Sequence, residues 1–138
     1  MQIYNAIQNG KKILRELQIS NAENEAIWLM EKVLNTNSSN LLFNKSKLTT
    51  KNKISYFNMI KRRGNGEPFQ LINQKCDFYG RTFKVKKNIF IPRQDTEKII
   101  DISKTMINKG ESILEVGTGT GCIAITLALE CDSINIVA

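Results

Sequence analysis

The chain has 138 residues, a net charge of +7 and an apolar fraction of 41%, which is typical of one ordinary globular domain or two small ones. It contains no histidine, which excludes imidazole as a general base, as a metal ligand and as the partner of a nucleophilic side chain. Its three cysteines form no Cys-x-x-Cys pair and no apolar run approaches a membrane span of about 20 residues, so we expect a cytoplasmic protein without a metal or a membrane anchor.

The basic charge suggests an anionic partner such as ribosomal RNA. The lysines are scattered along the sequence, however, and no aromatic residues are interleaved with them. We interpret the charge as a solvated surface and expect no direct nucleic-acid binding.

The apolar period over roughly the first 65 residues predicts a small helical bundle. Ser20 to Glu23 resemble a capping box for a second helix, Thr49 or Thr50 can cap a later one, and Gly64 can end it. Trp28 is interpreted as a core residue. The apolar positions are Ile3, Ile7, Leu14 and Leu17 on the first helix, Ala22, Ala26, Leu29 and Val33 on the second, Leu41, Leu42 and Phe43 on a short third, and Ile54, Phe57 and Ile60 on the next.

Residues 75–91 alternate around Gly80-Arg81 and predict a β-hairpin. Pro92 ends its second strand, and Asp95 or Thr96 can cap the helix that follows.

The segment from Ser112 to Gly121 carries the clearest functional pattern. Ile113 to Val116 read as a buried parallel strand, the glycines at 117, 119 and 121 form a tight loop, and an apolar helix begins at Cys122. A strand, a glycine-rich loop and a helix N-terminus together open a nucleotide-binding α/β domain. The loop matches neither the dinucleotide fingerprint nor a P-loop. Its compact spacing, with Glu115 two residues before the first glycine, resembles motif I of S-adenosylmethionine (AdoMet) methyltransferases. The loop alone also allows binding of another nucleotide or a purely structural turn.

Three motifs in order resemble the HemK/PrmC family, the glutamine methyltransferases of peptide-chain release factors. They are Lys61-Arg-Arg-Gly-Asn-Gly-Glu-Pro-Phe-Gln70, Ile91-Pro-Arg-Gln-Asp-Thr-Glu97 and Ile113-Leu-Glu-Val-Gly-Thr-Gly-Thr-Gly-Cys122. Gln94 stands where that family usually has a second proline, and Glu115 where Asp is commoner. The resemblance runs through essentially the whole chain.

The resemblance implies an α/β protein of three parts: a helical release-factor-docking domain (residues 1–72), a β-hairpin linker (73–92) and the start of a doubly wound, Rossmann-like AdoMet methyltransferase domain (93–138). It implies that Gly117, Thr118, Gly119, Thr120 and Gly121 line the cofactor. Glu115 either accepts a hydrogen bond from the cofactor's ammonium group or faces solvent at the strand end. Arg93 either covers the pocket or forms an ion pair with Glu97 or Asp101.

The family's Asn-Pro-Pro-Tyr motif, which holds the substrate amide, is absent from this sequence, so we assign no catalytic residue here. We expect the N-terminal portion of a methyltransferase of class 1 release factors, acting in translation termination and inactive by itself. The alternative is a non-catalytic module that binds a release factor or the ribosome, left by a truncated or split gene. An unrelated nucleotide-binding protein is a third possibility.

Overall fold

The computed structural model describes residues 1–42 and 46–138, which form two compact units, Met1–Asn73 and Gln74–Ala138. The predicted helical first part, antiparallel hairpin and start of a parallel sheet are confirmed. The boundary between the units lies before the hairpin, so the hairpin residues belong to the second unit. Of the residues predicted for the short third helix, Phe43 lies outside the described residues.

The described part of the first unit contains five helices: α1 (Ile3–Glu16), α2 (Ala22–Leu34), α3 (Ser38–Leu42), α4 (Thr50–Gly64) and α5 (Phe69–Asn73). α1, α2 and α4 pack on one another around a single apolar core. The predicted apolar faces of α1 and α2 are confirmed, except that Leu17 is half exposed just after the end of α1. The buried core residues are Ile3, Ala6, Ile7, Leu14, Ala22, Ala26, Leu29, Met30, Leu41, Tyr56, Ile60 and Ile72.

The helix ends agree with the sequence in one case and differ in another. Thr49 caps α4 as predicted, because its side-chain oxygen accepts a hydrogen bond from the backbone N–H of Asn52. The predicted capping box at α2 is wrong: the N-cap is Asn21, whose side chain makes no capping hydrogen bond. Glu23 instead lies between two cations of α1, Arg15 and Lys11.

α1 and α4 approach each other most closely at Gly10. A Cβ atom there would lie 2.1 Å from the hydroxyl oxygen of Tyr56 and 3.1 Å from Cδ1 of Ile60. The Tyr56 hydroxyl is held in place because it donates a hydrogen bond of 3.1 Å to the carbonyl oxygen of Ala26. Three helices therefore meet around one buried phenol group, and burial raises the pKa of Tyr56, so it stays a donor.

The basic end of α4 is fastened by carboxylates. The Arg62 guanidinium donates two hydrogen bonds, of 2.7 and 2.5 Å, to Glu67. The Arg63 guanidinium forms an ion pair with the buried Glu25 of α2, and its Nε lies 2.5 Å from Oε2 of that carboxylate. The Arg-Arg-Gly-Asn-Gly-Glu segment thus has a structural role, since it closes α4 and ties it to α2.

The prediction that Trp28 is a core residue is wrong. Its side chain is 40% exposed, and one edge packs against the Phe69 ring at a centroid distance of 5.5 Å.

The second unit begins with a hairpin of β1 (Lys75–Phe78) and β2 (Arg81–Lys84), paired antiparallel. The turn residues are Tyr79 and Gly80, both with positive φ (50° and 70°), so the turn lies one residue earlier than predicted. The second strand is shorter than predicted, because residues 85–93 are irregular. Asp95 and Thr96 lie in a short 3-10 helix (Gln94–Thr96), and neither side chain caps α6 (Glu97–Met106).

The parallel sheet consists of β3 (Ser112–Leu114) and β4 (Asn135–Val137), with Ile113 opposite Ile136. α7 (Cys122–Glu130) connects these two strands. The sheet has one bare face: Leu114, Val116 and Val137 are 71%, 89% and 64% exposed. The predicted buried strand from Ile113 to Val116 is therefore wrong in extent and in burial: β3 ends at Leu114, and a sheet of only two parallel strands leaves this face uncovered.

Tyr79 fastens the hairpin turn to α6. Its backbone N–H donates to a carboxylate oxygen of Glu97 at 2.8 Å, and its hydroxyl donates to Asp101, also at 2.8 Å. A second link passes through Glu130 at the end of α7, which binds Arg81 at 2.6 Å and Lys104 at 2.7 Å. These contacts join the hairpin, α6 and α7 into one body.

None of the helices in the described residues is long and apolar enough to cross a bilayer. The same residues contain no group of three or more Cys, Asp and Glu side chains placed to hold a metal ion.

Candidate cofactor site

The candidate site lies where β3 ends and α7 begins. The backbone N–H of Glu115 donates to the carbonyl oxygen of Val137 at 2.8 Å, which continues the pairing with β4 one residue beyond the end of β3. The chain then turns through Gly117, Gly119 and Gly121, which all have left-handed φ values, of 82°, 58° and 76°. Any other residue would be strained at these positions, and this explains why the motif repeats glycine at every second position.

Gly121 is the N-cap of α7 and controls how the helix starts. Its backbone N–H donates to the carbonyl oxygen of Thr118 at 2.9 Å, and its own carbonyl accepts the first bond of α7, from Ile125. The N-terminus of a nine-residue helix therefore directly follows the loop. Free N–H groups and the helix dipole at such an end favour a negatively charged group.

Two side chains of the segment carry buried polar atoms without a protein partner. These atoms are one carboxylate oxygen of Glu115 (Oε2) and the hydroxyl oxygen of Thr120. Buried polar atoms are normally satisfied by a hydrogen bond, because an unpaired group costs about 1–3 kcal/mol. The Glu115 atom precedes the loop and the Thr120 atom lies within it, and a third such atom, the hydroxyl oxygen of Thr126, lies further along α7. The two unpaired oxygens at the loop are the strongest structural indication that the segment receives a polar ligand. Glu115 is half-buried with one carboxylate oxygen fully buried, and its hydrogen bond to a cofactor stays a prediction.

One residue of the irregular segment 85–93 lies beside the same loop. The side chain of Ile89 lies 4.0 Å from the place where a Cβ atom on Gly119 would be. Phe90 follows it and is 68% exposed, with the Arg93 guanidinium 5.4 Å from its ring centroid. The position of Ile89 beside Gly119 was not predicted, since nothing in the sequence pattern indicates which residue lies next to the loop.

The alternative role of Arg93, an ion pair with Glu97 or Asp101, is absent from the part of the chain that the structure describes. Both carboxylates instead accept hydrogen bonds from Tyr79. The arginine is exposed and rests on Phe90. A direct role of Arg93 in holding a cofactor stays a prediction.

Glu130, at the end of α7, binds two cations, Arg81 and Lys104. Hydrogen bonds from Lys104 and then Arg81 lower the pKa of Glu130, and the same carboxylate raises the pKa of Lys104. This cluster lies at the C-terminal end of α7, away from the glycine loop at its start. We interpret it as a structural clamp.

Comparison with known proteins agrees with the motifs. A family model described as the PrmC N-terminal domain matches residues 5–73, half of the chain. The chain belongs to the HemK/PrmC family. The matched region ends at the boundary between the two units.

Family relatives match the second unit as well. A release factor glutamine methyltransferase of Bacillus anthracis is 31% identical over 142 positions, covering 99% of this chain and 50% of the relative. One from Staphylococcus aureus is 33% identical and covers 84% of this chain and 42% of the relative. A protein of Rickettsia conorii named bifunctional methyltransferase is 33% identical and covers 91% of this chain and 29% of the relative. The chain thus spans about half the length of these relatives, or less.

Proposed function

We propose that this chain is the N-terminal portion of an AdoMet-dependent methyltransferase that acts in the cytoplasm during translation termination. In complete form it would methylate the side-chain amide of the glutamine in the Gly-Gly-Gln motif of class 1 peptide-chain release factors. The names of the relatives support the reaction and the substrate. The single observation that carries the cofactor assignment is the pair of buried, unpartnered oxygens of Glu115 and Thr120 beside the glycine loop.

The chemistry of these groups fits AdoMet. Its amino-acid end carries an ammonium group, which a carboxylate such as that of Glu115 can bind, and a carboxylate, which suits the N-terminus of α7. The Thr120 hydroxyl can donate or accept a further hydrogen bond. The left-handed backbone from Gly117 to Gly121 lets main-chain N–H groups approach a ligand closely. When bound, AdoMet supplies an electrophilic methyl group.

Methyl transfer needs more than a bound cofactor. An amide nitrogen is a poor nucleophile, so catalysis depends on holding it in line with the methyl group. In the family this is the task of the Asn-Pro-Pro-Tyr motif, and the only prolines in this sequence are Pro68 and Pro92. We therefore expect this chain to bind the cofactor without transferring its methyl group.

Isothermal titration of the full chain with AdoMet tests the proposal. We expect saturable binding that the Glu115→Gln variant weakens at least tenfold, because hydrogen bonds to charged groups contribute about 1.5–3 kcal/mol. Glu111→Gln is the matched control, since the Glu111 carboxylate is exposed and accepts hydrogen bonds from the backbone and side chain of Asn108. Equal affinities of the two variants would contradict the role of Glu115.

The alternatives give different results in the same titration. Binding of NAD or ATP without binding of AdoMet would favour an unrelated nucleotide-binding protein. No cofactor binding together with retained binding of a release factor would favour the non-catalytic module.

A further inference from the structure

The positive charge of the protein is concentrated in the first unit. Residues 1–73 contain eleven basic and five acidic residues, whereas residues 74–138 contain nine and eight. Between Glu31 and Glu67 the sequence has eight basic residues and no acidic one. Six of the seven net positive charges therefore belong to the helical unit, mainly to the segment that includes α4.

The carboxylates of the first unit are already engaged. Glu16 lies 3.9 Å from Lys12, and Glu23, Glu25 and Glu67 bind cations on α1 or at the end of α4. Glu31 accepts a hydrogen bond from Ser38. Because these groups have partners within the unit, they do not neutralise the remaining lysines of α4.

The outward face of α4 combines these lysines with an apolar side chain. Lys51, Ile54, Asn58 and Lys61 recur at intervals of three and four residues and so share one side of the helix. All four are exposed, and Ile54 is 57% exposed. The opposite side of α4 carries the buried Tyr56 and Ile60. No ion pair joins Lys51 or Lys61 to an acidic group within residues 1–42 and 46–138.

We propose that this face of α4 (Lys51, Ile54, Asn58 and Lys61) docks an acidic surface of a partner protein. Two separated cations around an exposed aliphatic side chain match a protein interface, in which charges orient the partner and an apolar residue anchors it. The face has no aromatic residue on which a base could stack, and both arginines of α4 are bound to carboxylates. These features favour a protein over RNA.

The natural probe is a class 1 release factor from the same organism, and this choice rests on the proposed function. Binding of that release factor to the full chain is measured by titration at several salt concentrations. For the Lys51→Glu/Lys61→Glu variant we expect at least tenfold weaker binding and a shallower dependence on salt. For Ile54→Ala we expect weaker binding with an unchanged salt dependence.

The matched control is Lys84→Glu/Lys109→Glu, which changes the net charge equally at exposed lysines of the second unit. An unchanged urea midpoint, followed by Trp28 fluorescence, verifies that the α4 variants fold. Equal weakening by the control, or no weakening by the α4 reversal, would overturn the docking surface.

Two further results separate this proposal from the proposed function. If the chain does not bind AdoMet but binds the release factor, and the α4 substitutions weaken that binding, the cofactor assignment alone is refuted and the docking surface is supported. Tight binding of a ribosomal RNA fragment that depends on Lys51 and Lys61, with release-factor binding unaffected, would overturn the choice of a protein partner.

Discussion

Replacing Gly10 by Ala tests the packing between α1 and α4. Intrinsic helix propensity alone predicts stabilisation by about 1 kcal/mol, because Ala is the better helix former. The structure predicts the opposite, since the added Cβ atom would lie 2.1 Å from the Tyr56 hydroxyl oxygen and 2.9 Å from its Cζ.

The magnitude follows from what would have to move. Tyr56 is fully buried and hydrogen-bonded to Ala26, so it cannot retreat without losing that bond, which contributes about 1 kcal/mol. Overpacking of a filled core costs about 1–3 kcal/mol more. After subtraction of the propensity gain, we expect Gly10→Ala to lower the free energy of unfolding by about 1–3 kcal/mol.

Urea unfolding followed by Trp28 fluorescence is a suitable assay, because Trp28 is the only tryptophan and lies in the first unit. With a slope of about 1 kcal/mol per M, the urea midpoint should fall by about 1–3 M. Gly64→Ala is the matched control: its Cβ would meet only the Leu17 side chain, at 2.5 Å, and Leu17 is half exposed and can move. A Gly10→Ala variant that is as stable as wild type, or more stable, would refute the packing argument.

Two further predictions concern ion pairs, one in each unit. Glu25→Gln should destabilise the first unit by about 2–4 kcal/mol, because it leaves the Arg63 guanidinium without its buried counter-charge. Urea unfolding followed by Trp28 fluorescence measures the free energy of unfolding. A decrease below about 0.5 kcal/mol would contradict the prediction. In the second unit, Lys104 and Arg81 hold the pKa of Glu130 below its usual range. A carboxylate with a lowered folded-state pKa stabilises the fold above its unfolded-state pKa, and this contribution is lost as the pH falls through the folded-state value. Carbon-13 NMR titration of the Glu130 carboxyl should therefore give a midpoint below that of an unpaired glutamate, and Lys104→Met should raise it.

The elements with a clear apolar period could be predicted from the sequence. The buried faces of α1 and α2 and the cap at Thr49 follow from local rules and are found in the structure. The capping box at α2 failed because Glu23 is drawn to two cations of α1. That competition depends on how two helices pack, and it is invisible in a local motif.

The hairpin turn shows a similar limit. A tyrosine with a left-handed backbone conformation is uncommon. The sequence therefore predicted a turn at Gly80-Arg81, whereas the turn residues are Tyr79 and Gly80. Contacts of Tyr79 with Glu97 and Asp101, about 20 residues further along the chain, hold it there.

The candidate site was predictable where glycine spacing and strand position decide it. The glycine loop from Gly117 to Gly121 lies between β3 and α7, as the glycine spacing predicted. The binding of a cofactor by this loop and by Glu115 stays a prediction. Ile89 beside Gly119 and the pairing of Arg81 with Glu130, 49 residues away, were not predictable, because they depend on tertiary packing.

The ties from Tyr79 and Arg81 also decide where the protein can be cut and rejoined. A chimera that exchanges the helical unit with that of another family member should be joined between Asn73 and Gln74, so that the hairpin stays with α6 and α7. A junction after Pro92 would instead separate Tyr79 from Glu97 and Asp101, and Arg81 from Glu130. The hairpin from the other family member would then have to form all of these contacts with an α6 and α7 that come from this protein.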